Sequence, residues 1–242
     1  PEKLPLNDQT YTAIWSPKIY ALSLDHQDDL NTRTELAGTF GGSVPTITPP
    51  TREGHLFAGY FSQPNGQGVP WFDANGDPTN EKKTWEETSN VLAYAHWTPK
   101  LTTINFSASA DGVQFATKTY QSEFGTDVPE FGDPTRKGHV FAGWEPSLPA
   151  TMPAQDLTVS PTWTKRRFDI TLINDATDPD TVTTVSVLFG DEPDVSNPTR
   201  TGYTFAGWTP LLPTTVPAKK STHTATWTAN TYAITLDRAG GS

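Results

Sequence analysis

The sharpest candidate for chemistry in this sequence is a run of side-chain oxygens, "DANGDPTNE", from Asp73 to Glu81. Asp73, Asn75 and Asp77 stand at the first, third and fifth positions of a calcium-loop spacing, and oxygen ligands on a tight turn are what Ca²⁺ prefers. An EF-hand loop also needs glycine at its sixth position and glutamate at its twelfth, where Pro78 and Thr84 stand here. Asn-Gly is equally an ordinary hairpin turn, so the metal reading and the turn reading both stay open. Other constellations do not assemble. His26, His55, His96, His139 and His223 are scattered, with no His-Glu-x-x-His, phosphate loop or Gly-x-Ser-x-Gly elbow. The acidic pairs Asp28-Asp29, Glu86-Glu87 and Asp191-Glu192 fall at different turns, whereas a glycosidase needs one matched pair at one cleft. The chain is therefore read as a non-enzyme without a cofactor.

A second candidate surface lies beside the first. The stretch between Tyr60 and Trp97 carries Trp71, Phe72 and Trp85 beyond what a small core needs. As exposed rings they would contact a ligand; as buried ones they would form an extra hairpin or short helix covering their own unit. Helical periodicity is best in "NEKKTWEETSNVLAYA", which predicts two or three turns at most.

What must position these residues is a repeat. "PTREGHLFAGY" (Pro50 to Tyr60), "PTRKGHVFAGW" (Pro134 to Trp144) and "PTRTGYTFAGW" (Pro198 to Trp208) are near-copies, and each is followed by a closing tryptophan, Trp97, Trp163 or Trp227. Trp15 is a fourth such anchor. At one constant offset beyond the anchors stand Leu22, Ile104, Ile170 and Ile234, each opening an alternating segment. The units have similar lengths except the first, which carries an insert over 61–93. The expected organisation is a tail of a preceding repeat at 1–16, modules at 17–98, 99–164 and 165–228, and the opening strand of a following repeat at 229–242.

Within a unit, "YALSLD" with "TELAGTF", "TINFSA" with "VQFATKTY", and "ITLIN" with "TVTTVSVLF" predict opening hairpins, each followed by a Phe-Gly pair (Phe40-Gly41, Phe124-Gly125, Phe189-Gly190). The closing strand has period two: Leu157, Val159, Pro161 and Trp163 share a face. With 22 prolines, 18 glycines and no long helical window, the fold class is predominantly β with a small α content. In the motif, the proline fixes φ and the first glycine permits a tight turn. On a regular strand Phe141 and Gly143 share a face, leaving room beside the phenylalanine. These positions read as scaffold: Pro50, Gly54, Phe57, Gly59, Tyr60 and Trp97; Pro134, Gly138, Phe141, Gly143, Trp144 and Trp163; Pro198, Gly202, Phe205, Gly207, Trp208 and Trp227.

"PTRKGHVFAGW", "LTVSPTW" and "YAITLDRAGG" together resemble the Listeria-Bacteroides repeat family, which includes the B-repeats of internalin-type surface proteins. The resemblance covers essentially the whole chain. It implies small β-grasp, ubiquitin-like modules in tandem, in secreted or surface-anchored bacterial proteins, acting as stalks and in some cases in adhesion to host receptors. It carries no catalytic residues.

Bulk properties agree with that expectation. A net charge of −10, with Lys165-Arg166-Arg167 as the longest basic run, disfavours a nucleic-acid partner. No cysteine is present and no apolar run is long enough to span a membrane. The expected molecule is a monomeric segment of an extended extracellular array, anchored through other parts of its protein. Its expected partners are neighbouring repeats, with a host or matrix protein or a glycan as the alternative.

Overall fold

The computed structural model describes residues 10–28, 30–107, 112–178 and 181–236. The chain divides into two compact units, Pro1–Thr103 with Gln121–Val128 and Pro149–Leu157, and Ile104–Tyr120 with Pro129–Leu148 and Thr158–Ser242. Almost every ordered element is a strand.

The first unit holds a five-stranded sheet. β1 (Ile19–Asp25) and β2 (Arg33–Thr39) form the predicted antiparallel hairpin, with Leu22 opposite Leu36. β3 (His55–Gln63) and β4 (Gln67–Phe72) form a second hairpin, and β5 (Val91–Pro99) runs between the two. The order is β2-β1-β5-β3-β4, with β5 parallel to β1 and antiparallel to β3. Alternation in β1 sends Leu22 and Leu24 inward, where they meet Ala93 and Ala95 of β5 and the buried Val44. A parallel pair needs a long crossover between its strands, most often a helix; here hairpins and loops bridge it, and Val44 and Ile47 from the loop after β2 pack on the core.

β6 (Leu101–Phe106), β7 (Val113–Gln114), β8 (Thr119–Glu123), β9 (Thr135–Arg136), β10 (His139–Glu145) and β11 (Leu157–Lys165) follow, and the middle sheet has the order β10-β11-β6-β8. In the second unit, β12 (Arg167–Ile173), β13 (Val182–Leu188), β14 (Tyr203–Thr209) and β15 (Ser221–Ala229) form the third sheet, ordered β13-β12-β15-β14. Its β12 pairs parallel with β15, as β1 does with β5. Its core is Ile170, Leu172, Trp208, Val216 and Ala225. All three orders are one order, to which the first sheet adds β4 as an outer strand.

Several expectations change. The window "NEKKTWEETSNVLAYA" yields only a 3-10 turn at Asn80–Lys82, because Val91 to Ala95 are needed as the strand beside β1; among the described residues there is no α-helix, so the α content predicted for the fold is lost. Val113–Gln114 does not join β6 but pairs with Thr135–Arg136 in a separate two-stranded ladder. At the N-terminal end residues 1–9 lie outside the described residues, and residues 10–18 carry no strand and leave Ile14 and Trp15 exposed. The opening strand expected at 229–242 is not paired over 231–236, where Tyr232, Ile234 and Leu236 are exposed; residues 237–242 lie outside the described residues.

Candidate functional site

The repeated motif builds the same aromatic triad three times. The motif phenylalanine stands opposite the closing tryptophan in the ladder: Phe57 with Trp97, Phe141 with Trp163, Phe205 with Trp227. Immediately after the phenylalanine each ladder slips at a bulge, between Phe57 and Gly59, Phe141 and Gly143, and Phe205 and Gly207. Those glycines have φ of 129°, 121° and 132°, which side-chain-bearing residues rarely adopt. The extra residue corrects the face assignment drawn from simple alternation. Phe141 faces the same side as Trp144, with ring centroids 5.3 Å apart, and Trp163 lies at 5.8 Å. Phe57 makes the same pair of contacts with Tyr60 and Trp97 at 5.2 and 5.5 Å, and Phe205 with Trp208 and Trp227 at 5.4 and 5.6 Å. Tilted or edge-on packing at these distances adds about 0.5–1.5 kcal/mol per pair beyond burial.

The triads sit in slightly different polar surroundings. The Trp97 indole donates to His26 O at 2.7 Å and the Trp227 indole to Asn174 O at 2.9 Å, tying each closing strand to the end of its opening strand. Burial, reinforced by the Asp25 and Asp28 carboxylates, pushes the Tyr60 phenol far above its usual range, so Tyr60 acts as a neutral core residue. Trp208 replaces it in the third sheet with a buried indole N–H that finds no acceptor among the described residues.

Trp71, Phe72 and Trp85 do not present a surface. They are 2, 0 and 1% exposed. Trp85 exchanges backbone hydrogen bonds with the Phe-Gly turn after β2: Gly41 N donates to Trp85 O, and Trp85 N to Gly42 O, both at 2.8 Å. Met152 does the same with Gly125 and Thr126, and Val216 with Gly190 and Asp191. Trp85, Met152 and Val216 are thus one position, a plug that closes the core beneath the Phe-Gly turn. Trp85 fits because Gly38 of β2 has no side chain; a Cβ there would overlap the indole. Trp71 packs on Trp85 at 6.0 Å, and Phe72 on Tyr60 at 6.2 Å. Burial removes these three rings as contacts for an external ligand. Counting back from the closing tryptophans finds Met152 and Val216 at one offset and comes within one residue of Trp85; counting forward from the motif hides Trp85 behind the insert.

The first motif glycine does a different job. Gly54 and Gly138, at φ 67° and 74°, are buried, and a Cβ on either would overlap the ring of Phe124 or Phe189, the phenylalanine of the next repeat's Phe-Gly pair. In the first unit Lys100 N donates to Gly54 O at 2.9 Å and Phe124 N to Lys100 O at 2.8 Å; in the second unit Arg166 N donates to Gly138 O at 2.9 Å and Phe189 N to Arg166 O at 2.8 Å. The following histidine completes the seat: His55 meets Phe124 at 5.4 Å and His139 meets Phe189 at 5.5 Å, both edge-on at 77°. These are two copies of one joint.

In the acidic turn, Asp73 Oδ1 accepts the backbone N–H groups of Asn75 at 2.8 Å and Asp77 at 3.0 Å, while Asp73 N donates to Asp77 O at 2.9 Å. The carboxylate therefore fastens its own turn, as aspartate commonly does. Among the described residues no three His, Asp or Glu side chains converge as a metal cluster.

Mixed sheets built on a recurring aromatic triad, with a recurring backbone joint, define a tandem β-repeat protein. The Listeria-Bacteroides repeat domain matches residues 103–160 and 171–237, more than half of the chain, and the chain belongs to that family. It is also similar to two proteins of Evansella cellulosilytica. One, named a Gly-rich membrane protein, is 23% identical over 96% of this chain and 27% of its own length; the other, named a membrane protein, is 22% identical over 82% of this chain and 30% of its own. The chain thus spans less than a third of the curated relatives it matches.

Proposed function

We propose that this chain is a segment of the stalk of a bacterial surface protein, a non-catalytic spacer holding another part of that protein away from the cell. Its modules run over 17–98, 99–164 and 165–228, it is monomeric, and it lies outside the cell, secreted or anchored through other parts of its protein. The observation that carries this reading is that most of the repeated residues are consumed by cores and joints: the triads, the plug and the filled Gly–Phe seats at Gly54 and Gly138 face the protein itself. Arrays of this kind couple each unit mainly to its neighbours. The order β2-β1-β5-β3-β4, with its parallel central pair, supports a β-grasp assignment of each module, and the motif supports kinship with internalin-type B-repeats. The membrane-protein names of the longer relatives agree with a surface location.

The test places one or two copies of the chain between a cell-surface anchor and an epitope tag. A spacer raises antibody access stepwise with copy number and binds no glycan or matrix-protein array. Saturable binding that disappears on deletion of residues 61–93 would overturn it in favour of an adhesion module.

A further inference from the structure

Beyond the two complete joints, the chain carries two halves of the same joint. At the C-terminal side, Asn230 N donates to Gly202 O at 2.9 Å, repeating the Lys100–Gly54 and Arg166–Gly138 bonds. Yet Gly202 is only half-buried, among the described residues nothing but its chain neighbours lies within 4 Å of where its Cβ would point, and the adjoining Tyr203 is 40% exposed. The Arg200 guanidinium lies 4.3 Å from the Tyr203 ring centroid and still leaves that exposure. At the N-terminal side, Phe40 N donates to Lys18 O at 3.3 Å, repeating the Phe124–Lys100 and Phe189–Arg166 bonds. Phe40 is 51% exposed, whereas Phe124 and Phe189 are half-buried in their seats.

We propose that Gly202, Tyr203 and Asn230 form a docking seat for the phenylalanine of a Phe-Gly turn, that Phe40 is the matching insert for a Gly–aromatic seat, and that the occupant of each is a repeat of this same family joined head to tail. The occupant follows from the interface already present twice: the seat supplies a glycine at positive φ, a carbonyl and a flanking aromatic ring, and the insert supplies a phenyl ring and a backbone N–H. Complementarity is one-directional, because seat and insert lie on opposite ends of a repeat, and a heterologous contact of this kind propagates along an array instead of closing a pair. Tyr203 in place of histidine keeps an aromatic edge for the incoming ring. This inference rests on the tandem reading of the chain but not on the stalk reading.

Fusing residues 1–230 directly to residues 19–242 puts Asn230 in the place of Lys18 and tests the fit. Fluorinated phenylalanine is placed singly at position 40 of the second copy, and at positions 124 and 189 as references. Exposure is read by ¹⁹F NMR with a soluble paramagnetic quencher, with the unfused chain alongside. The expected result is that position 40 is strongly quenched in the unfused chain and in the fusion falls to the level of positions 124 and 189. Gly202→Val in the first copy should return position 40 to the quenched level and leave 124 and 189 unchanged, which shows that the fold survives. Quenching of position 40 that is equal in fused and unfused chains, with 124 and 189 protected, would overturn the proposal. A stalk of uncoupled repeats would give that same result while keeping its stepwise reach, so the two readings fail separately.

Discussion

The first and third sheets share strand order, triad and plug, but they solve the problem of a small core differently. The first sheet adds β4 outside β3, so that Phe72 backbone fills the space beside Gly59, and it draws Trp71, Phe72 and Trp85 into a core with Tyr60. The third leaves β14 as an outer strand, among the described residues nothing but its chain neighbours lies within 4 Å of the Cβ position at Gly207, and its core relies on one buried aromatic, Trp208, among aliphatic residues. Pro70 is tolerated in β4 because an outer strand has no neighbour on one side to receive its missing N–H. An insert rich in aromatics is therefore not by itself a binding surface; here its rings Trp71, Phe72 and Trp85 join the core.

The plug gives the strongest way to break that comparison. At matching positions before the Phe-Gly glycines stand Gly38, Ser122 and Val187, whose sizes rise as the plugs shrink from Trp85 through Met152 to Val216; Gly38 lies against the Trp85 ring, and Val187 packs on the core that holds Val216. Trp85→Ala should destabilise the first sheet by about 3–5 kcal/mol, the cost of emptying a packed indole site. Gly38→Val should destabilise by about 1–3 kcal/mol or more through overpacking. The double change Gly38→Val with Trp85→Val installs the third sheet's pair, and a coupling of at least about 1 kcal/mol in its favour is expected. Denaturant melts read the totals, and hydrogen exchange assigns them to β1, β2 and β5. Additive costs would mean that Gly38 and Trp85 do not form one wall-and-plug unit.

The second expected effect is smaller because the residues are half-buried. Phe205→Ala and Trp227→Ala should each cost the third sheet about 2–3 kcal/mol, below the full range for a sealed aromatic site. Phe57→Ala should cost the first sheet less than Phe205→Ala costs the third, since Tyr60, Trp71 and Phe72 remain. Equal losses in the two sheets would show that β4 adds cover without adding core.

How far the sequence revealed this architecture depends on where each residue's partner lies. The pairing of Phe57, Phe141 and Phe205 with Trp97, Trp163 and Trp227 was legible, because both members recur at matching spacing and the closing strands alternate cleanly. The bulge after each phenylalanine was not, since an unpaired residue such as Ala142 is defined by the opposite strand and leaves no periodic mark. The joint was half legible: the Phe-Gly pairs and the Pro-Thr-Arg-x-Gly turns stood out separately, but the contact links Gly138 to Phe189, one repeat to the next. The helix predicted over 80–95 failed because local propensity yielded to the strand position beside β1.

The joint offers a third contrast. Gly138 and Gly202 share a positive φ, 74° and 80°, and differ in what lies beyond the missing Cβ. Alanine at either should cost about 1–2 kcal/mol from left-handed backbone strain; at Gly138 displacement of the Phe189 ring adds to it, by roughly another 1–3 kcal/mol. The measurement is the difference between Gly138→Ala and Gly202→Ala in thermal or denaturant melts, in which the shared strain cancels. Equal values would mean that the Phe189 ring moves aside freely and the joint is soft.

The smallest effect concerns the turn ends of the two opening hairpins. In the first sheet Asp25 stands opposite Arg33, with Oδ2 3.0 Å from the guanidinium; at the matching register of the third, Ile173 stands opposite Val182. Burial pushes the Asp25 carboxyl up, but the side-chain and backbone hydrogen bonds from Gln27 and the Arg33 guanidinium outweigh it and hold the carboxyl below the usual carboxylate range. A carboxylate whose folded pKa lies below its unfolded value contributes stability that is complete above the unfolded value and disappears as pH falls through the folded one. Hydrogen exchange in β1 and β2 should therefore accelerate as pH drops below the ordinary carboxylate range, after correction for the intrinsic pH dependence of exchange, and Asp25→Asn should flatten that response. The β12–β13 ladder has its own acid-sensitive group in Asp175, held low by Thr177 and Arg200, so it should respond in the wild type and be unaffected by Asp25→Asn. An unchanged acid response of β1 and β2 in Asp25→Asn would locate the sensitivity of the first hairpin elsewhere, with Asp28, also held low through its hydrogen bonds from Thr32, as the next residue to replace.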